Sequence, residues 1–150
     1  MKKLLKFLPF LLVAVMAVGF WSCDNDDDDD DVIVTEQQLP SQAKTFISDY
    51  YPSVKVSKVT RENNEYDVIL SNRHQIEFSL AGEWMDVDAP AGETVPSGFY
   101  PAAINTYIEE NLNGVGINEM SRENYGYDVE LVDGRDLRFS TTGSFLGYDN

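Results

Sequence analysis

An α+β fold made of two copies of one small unit, each a helix packed on an antiparallel β-meander of three or four strands, is what this sequence predicts. Three observations carry that expectation. A shift of 61 residues lays Leu39–Ala89 on Tyr100–Asn150 without a gap, and 15 of the 51 pairs are identical, where ordinary composition gives about three at roughly 6% per position. A proline, Pro40 or Pro101, opens a stretch of helical spacing in each copy. Beyond that stretch the apolar period changes to two.

The elements before the repeat belong to export. Lys2, Lys3 and Lys6 precede an apolar run from Phe7 to Phe20, which is shorter than the roughly 20 residues of a permanent membrane span. Residues 1–22 therefore read as a signal peptide. Cys23 is the only cysteine in the chain, with no partner for a disulfide and no second sulfur for a metal. Its setting resembles the lipobox of bacterial lipoproteins, although Phe20 and Trp21 are bulkier than the usual residues there. The resemblance implies that Cys23 is lipidated and becomes the first residue of the mature chain. Residues 23–38 follow as a lipidated acidic tether. Asp26, Asp27, Asp28, Asp29, Asp30 and Asp31 repel one another and offer no apolar surface, so this stretch is expected to stay solvated. The run resembles the acidic export signal of surface lipoproteins in some Gram-negative gut bacteria. It lacks the spaced ligands, central glycine and final glutamate of an EF-hand calcium loop.

In the first copy, residues 39–89, Ala43, Phe46, Ile47 and Tyr50 share one face of a helix that starts near Pro40 and stops before Pro52. Val54 and Val56, then Tyr66, Val68 and Leu70, then Ile76, Phe78 and Leu80, then Met85 and Val87 alternate as strands. Asn63, Asn72 and Gly82 mark the turns. Residues 90–99, with Pro90, Gly92, Pro96 and Gly98, form a linker. The second copy, residues 100–150, repeats the pattern with Ile104, Tyr107, Ile108 and Leu112 on the helix. Its strands are marked by Val115 and Ile117, by Tyr127, Val129 and Leu131, by Leu137 and Phe139, and by Leu146 and Tyr148, with a hairpin turn at Asp133 and Gly134. One sheet face is covered by the helix and the other is left free.

The stretch Tyr127–Gly134, followed by Leu137, Arg138, Phe139 and Gly143, resembles the core motif of the putative β-lactamase-inhibitor-like, PepSY-like secreted family. The first copy carries Asn72 and Arg73 at the turn and Trp84 after Gly82. The likeness covers about residues 39 to 150 and implies tandem α+β units on secreted or lipid-anchored proteins. Protein binding or inhibition is implied only by distant analogy, and the family carries over no catalytic residue.

Composition narrows the function. Removing Lys2, Lys3 and Lys6 with the leader leaves 8 of the 11 basic residues against all 26 acidic ones, a net charge of −18. Phosphate binding needs clustered Lys and Arg, so nucleic acid is excluded as a partner. No catalytic residues, no metal site and no cofactor are expected. His74 is the only histidine and falls at a hairpin, where a solvated turn residue is expected, and no serine stands in a nucleophile elbow. Asp67 and Asp128 recur at equivalent positions and are the only carboxylate pair to consider for glycoside hydrolysis, yet duplication alone makes them recur. Alternation sends Asp67, Glu77, Asp86 and Asp88 outward. By the same parity Trp84, and Phe145 opposite it in the repeat, fall on that face as interface anchors, the alternative being that the strand end bends and Trp84 caps the core. The resulting expectation is a non-enzymatic binding module of the cell envelope. It would be held in the membrane by its lipid, surface-exposed or periplasmic, and recognise an unknown protein or peptide through Trp84, Phe145, Asp67 and Asp128. A structural or assembly role, or a carbohydrate-binding accessory role, is the alternative.

Overall fold

The computed structural model describes residues 32–62 and 64–149. Strand β1 (Val32–Val34) and a single 3₁₀ turn (Glu36–Gln38) lead into helix α1 (Ser41–Tyr50). Strands β2 (Val56–Arg61), β3 (Glu65–Leu70), β4 (Gln75–Ser79) and β5 (Trp84–Asp88) follow. Helix α2 (Ala102–Leu112) then precedes β6 (Ile117–Glu123), β7 (Gly126–Leu131), β8 (Asp136–Ser140) and β9 (Phe145–Tyr148). No helix among the described residues is long and apolar enough to cross a membrane.

Each unit has the expected helix and a four-stranded meander, β2–β5 and β6–β9, but the two meanders belong to one continuous sheet and are not separate. Among the described residues it has nine antiparallel strands in chain order. The two copies fuse because β5 pairs with β6, Val87 opposite Met120. The tether is corrected too, since its residues Val32–Val34 form β1 and lie against β2.

One row of side chains crosses the whole sheet: Val34, Val59, Val68, Ile76, Val87, Met120, Val129, Leu137 and Tyr148, each the register partner of the next. Successive residues of a strand point to opposite faces, so this row defines the apolar face. Both helices cover it. Phe46 of α1 meets Phe78 edge-on at 5.6 Å, and Tyr107 of α2 meets Phe139 at 5.5 Å. Gly82 and Gly143 let the hairpin before β5 and β9 close on the helix starts. A Cβ at Gly82 would lie 2.8 Å from Pro40 Cβ, and one at Gly143 3.0 Å from Pro101 Cβ. Both have positive φ, 89° and 82°, which suits glycine.

Each copy carries the same two β-bulges. The register slips at Ser57 between Val56 and Lys58, and equivalently between Ile117 and Glu119. It slips again at Met85, where Phe78 pairs with Trp84 and Glu77 with Asp86, and likewise at Leu146. A bulge inserts one residue and reverses the facing of the residues beyond it. Val59 therefore enters the core, although simple alternation from Val56 points it outward. Leu80 and Leu146, expected against the helices, are exposed at 42% and 56%.

Candidate binding face

Trp84 is not an anchor on the open face but caps the core, as the bent-strand alternative has it. It is 6% exposed, with Phe46 at 6.4 Å and Phe99 at 4.9 Å, and the Arg122 guanidinium stands 4.3 Å above its ring. The Met85 bulge is the reason, because it puts Trp84 opposite core residue Phe78. Phe145 makes the same turn through Leu146 and stacks on Tyr107 at 4.4 Å. The signal was present in the spacing: Trp84, Met85 and Val87 break strict alternation, as do Phe145, Leu146 and Tyr148. His74 is likewise corrected, from solvated turn residue to core at 5% exposure. It shares the parity of Ile76 and Phe78, and its Nδ1 sits 3.1 Å from the Tyr51 hydroxyl. Burial lowers its pKa, opposed by the neighbouring Glu93 carboxylate.

What the helix-free face does present is carboxylate. One row crosses it as Thr60, Asp67, Glu77, Asp86, Ser121, Asp128 and Arg138. The adjacent row runs Lys58, Ile69, Gln75, Asp88, Glu119, Glu130 and Asp136. Cationic side chains stand toward the margins of the face, at Lys58 and Arg138, and Arg138 is engaged by Asp149. Over strands β2 to β6 the face forms a shallow cavity of about 280 Å³ lined by Lys58, Thr60, Asp67, Glu77, Asp86, Asp88 and Glu119.

Neighbouring strands lie only about 4.8 Å apart, so carboxylates in successive register positions crowd one another. Partial burial pushes Asp86 up to about 7, with Glu77 and Asp88 adding repulsion, against the hydrogen bond that the Ser121 hydroxyl donates to it. Glu119 rises to about 8 through burial and the charges of Asp86, Asp88 and Glu130. Asp67 rises to about 7 through burial and its neighbour Glu62, with Glu77 and Glu65 contributing. Its Oδ1 is buried and accepts no hydrogen bond. Burial also raises Glu77, Asp88, Glu130 and Asp136.

The face thus contains Asp67 and Asp128 but does not bring them together. They stand four strands apart, about 19 Å at 4.8 Å per strand, well beyond the roughly 5 to 9.5 Å of a glycosidase pair. Asp128 instead accepts a hydrogen bond from the Tyr125 hydroxyl. Glu119, Ser121, Glu130 and Asp136 were missed as site residues, because they join the others only through the β5 to β6 junction. Among the described residues no three His, Cys, Asp or Glu side chains converge to hold a metal ion. Cys23 and Asp26–Asp31 lie outside the described residues.

Comparison with known proteins gives the family context. A family described as "Putative beta-lactamase-inhibitor-like, PepSY-like" matches twice, over residues 28–79 and 64–147. The first match takes in β1 together with the helix. Three solved structures are similar over 81% of this chain. One is a putative periplasmic protein of unknown function from Bacteroides vulgatus, 31% identical, wholly covered, with a TM-score of 0.75. Another is a putative calcium-regulated periplasmic protein from Bacteroides thetaiotaomicron, 29% identical, 98% covered, also at 0.75. The third is a putative periplasmic protein of the DUF2874 family from Bacteroides vulgatus, 31% identical, 98% covered, at 0.74. No curated protein matches the chain.

Proposed function

The chain belongs to the putative β-lactamase-inhibitor-like, PepSY-like family, and on that premise we propose that it is a lipid-anchored, non-enzymatic binding module of the cell envelope whose helix-free face takes a cationic segment of a protein or peptide. Periplasmic descriptions of its structural relatives support the compartment. Lipidation of Cys23 supplies the anchor, and the family's description suggests inhibition as the form that recognition takes.

The observation that carries the reading is the double carboxylate row. Like charges crowded on a half-buried surface disfavour their own ionisation. A partner carrying Lys or Arg relieves that repulsion and gains charge-assisted hydrogen bonds, so the face is complementary to cations and rejects acidic segments. Asp67 Oδ1 is already buried and lacks a donor. Burial of Trp84 meanwhile removes the exposed aromatic platform on which a carbohydrate-binding role would have stacked a sugar.

Calorimetric titration of the mature chain, carrying Cys23→Ser to exclude lipid, with an extended Lys/Arg-rich peptide tests this. We expect binding that weakens about tenfold or more in the Asp86→Asn, Glu119→Gln double variant. Equal affinity in parent and variant, or equal binding of a Glu-rich peptide, contradicts the proposal.

A further inference from the structure

We infer that β1 is a removable edge cap, and that the β2 edge it covers is the complement of the open edge of β9 in a second copy of this chain. The 61-residue shift places Val59 and Thr60 of β2 on Met120 and Ser121 of β6. Strand β5 lies on β6 with Asp86 opposite Ser121 and Val87 opposite Met120. Strand β1 lies on β2 with Ile33 opposite Thr60 and Val34 opposite Val59, antiparallel and in the same register. Each of the two strands also leads into a helix, β1 into α1 and β5 into α2. Thus β1 stands against the first copy where β5 stands against the second.

Strand β9 is the repeat image of β5, with Phe145 for Trp84, Gly147 for Asp86 and Tyr148 for Val87. The edge of β5 that faces onward is taken by β6, whereas no strand among the described residues pairs with the corresponding edge of β9. The molecule therefore shows the same junction three times: used between β5 and β6, capped at β2, and open at β9. An unpaired edge of this kind is a template for another strand.

Joining β9 of one copy to β2 of another in the β5 to β6 register sets Gly147 against Thr60, Tyr148 against Val59 and Asp149 against Lys58. The internal junction places Asp88 against Glu119, two acids, so the junction between copies is better matched in charge than the one the chain already makes. Tyr148 is 47% exposed at this edge. The cap prevails in the single chain because it is tethered a few residues from α1 and acts at a high effective concentration. The contact between copies is head-to-tail and does not close on itself, so uncapped chains extend into linear assemblies.

Sedimentation equilibrium of the mature chain with Cys23→Ser tests the inference. Val32 stands opposite Arg61 on the hydrogen-bonding side of β1 and is 52% exposed, so Val32→Pro removes a ladder donor without emptying a core position. The parent is expected to stay monomeric over about a hundredfold range of concentration, while Val32→Pro at least doubles its weight-average mass. Adding Lys58→Glu should return it to monomer, and adding Asp149→Lys to that should restore assembly. A folded Val32→Pro chain that stays monomeric, or assembly indifferent to the charge changes, overturns the inference. Should Val32→Pro fail to fold, the Lys58→Cys, Asp149→Cys chain provides the test instead. These positions lie on β2 and just past β9, at opposite ends of the sheet, and a disulfide traps the junction each time β1 lifts, so prolonged mild oxidation should accumulate a ladder of disulfide-linked multimers. No ladder, or an equal ladder from Lys58→Cys with Asp136→Cys, overturns it.

Discussion

Trp84 anchors the seam between the helices, where Phe46, Phe99 and the Arg122 guanidinium enclose its ring. Truncating a buried aromatic costs roughly 3 to 5 kcal/mol, so Trp84→Ala should lower the urea midpoint strongly, and near-parental stability would mean that the ring is not core. Asp86 presents the opposite case. It is half-buried beside Glu77 and Asp88 and held near 7, so at pH 8 its negative charge opposes folding. Asp86→Asn keeps an oxygen for the Ser121 hydroxyl and removes the charge. Its melting temperature at pH 8 should rise by a few degrees, and a fall would show that the carboxylate is stabilising where it stands. The outward acids of the first copy were legible from alternation alone, since Asp67, Glu77, Asp86 and Asp88 each fall between the apolar positions of their own strand. Trp84 was left between core and open face by alternation, because a single inserted residue at Met85 reverses the count.

The elements obey rules that the chain states twice. Pro40 and Pro101 open the helices, and Gly82 and Gly143 lie under them where a Cβ has no room. Gly82→Ala should cost about 1 to 3 kcal/mol through positive φ and collision with Pro40. Gly134→Ala, with φ of 80° and nothing within 4 Å of the added carbon, should cost only the left-handed backbone term of about 1 kcal/mol. Comparing the two melting curves separates crowding from backbone strain, and equal losses would refute the crowding. Helix positions and hairpin turns were readable because they depend on local chemistry. Strand β1 was not, because three apolar residues behind an acidic run have no period of their own and become a strand only by pairing with β2. The fusion through β5 and β6 escaped for the same reason: it is a long-range pairing, and the carboxylates of Glu119, Glu130 and Asp136 enter the site only through it.

Across the whole molecule, the nine strands divide two chemistries between two faces, apolar under the helices and anionic opposite them. Carboxylates whose folded pKa is raised bind more protons folded than unfolded. Their favourable contribution is therefore complete below about pH 4 and is lost as pH rises through the values near 7 and 8 of Asp67, Asp86 and Glu119. His74, with a lowered pKa, works the other way below about pH 6.5, but as one group against several. Melting temperature should consequently be higher at about pH 6 than at pH 8.5, and the Asp86→Asn, Glu119→Gln double variant should flatten that difference. A parent more stable at pH 8.5 would contradict the crowding of charge. At the other end of the chain, Cys23→Ser should abolish fatty-acid labelling and membrane association, because acyl chains are the anchor, and equal labelling of the variant would exclude lipidation at Cys23. The central claim is that the anionic face is where a partner binds, and the affinity of the parent for a Lys/Arg-rich peptide across pH 6 to 8.5 tests it most directly. With its N-terminus acetylated the peptide keeps a constant charge over that range, as do ordinary carboxylates, whereas Asp67, Asp86 and Glu119 ionise within it. Affinity should rise about tenfold or more with pH; a flat or falling profile would contradict the account.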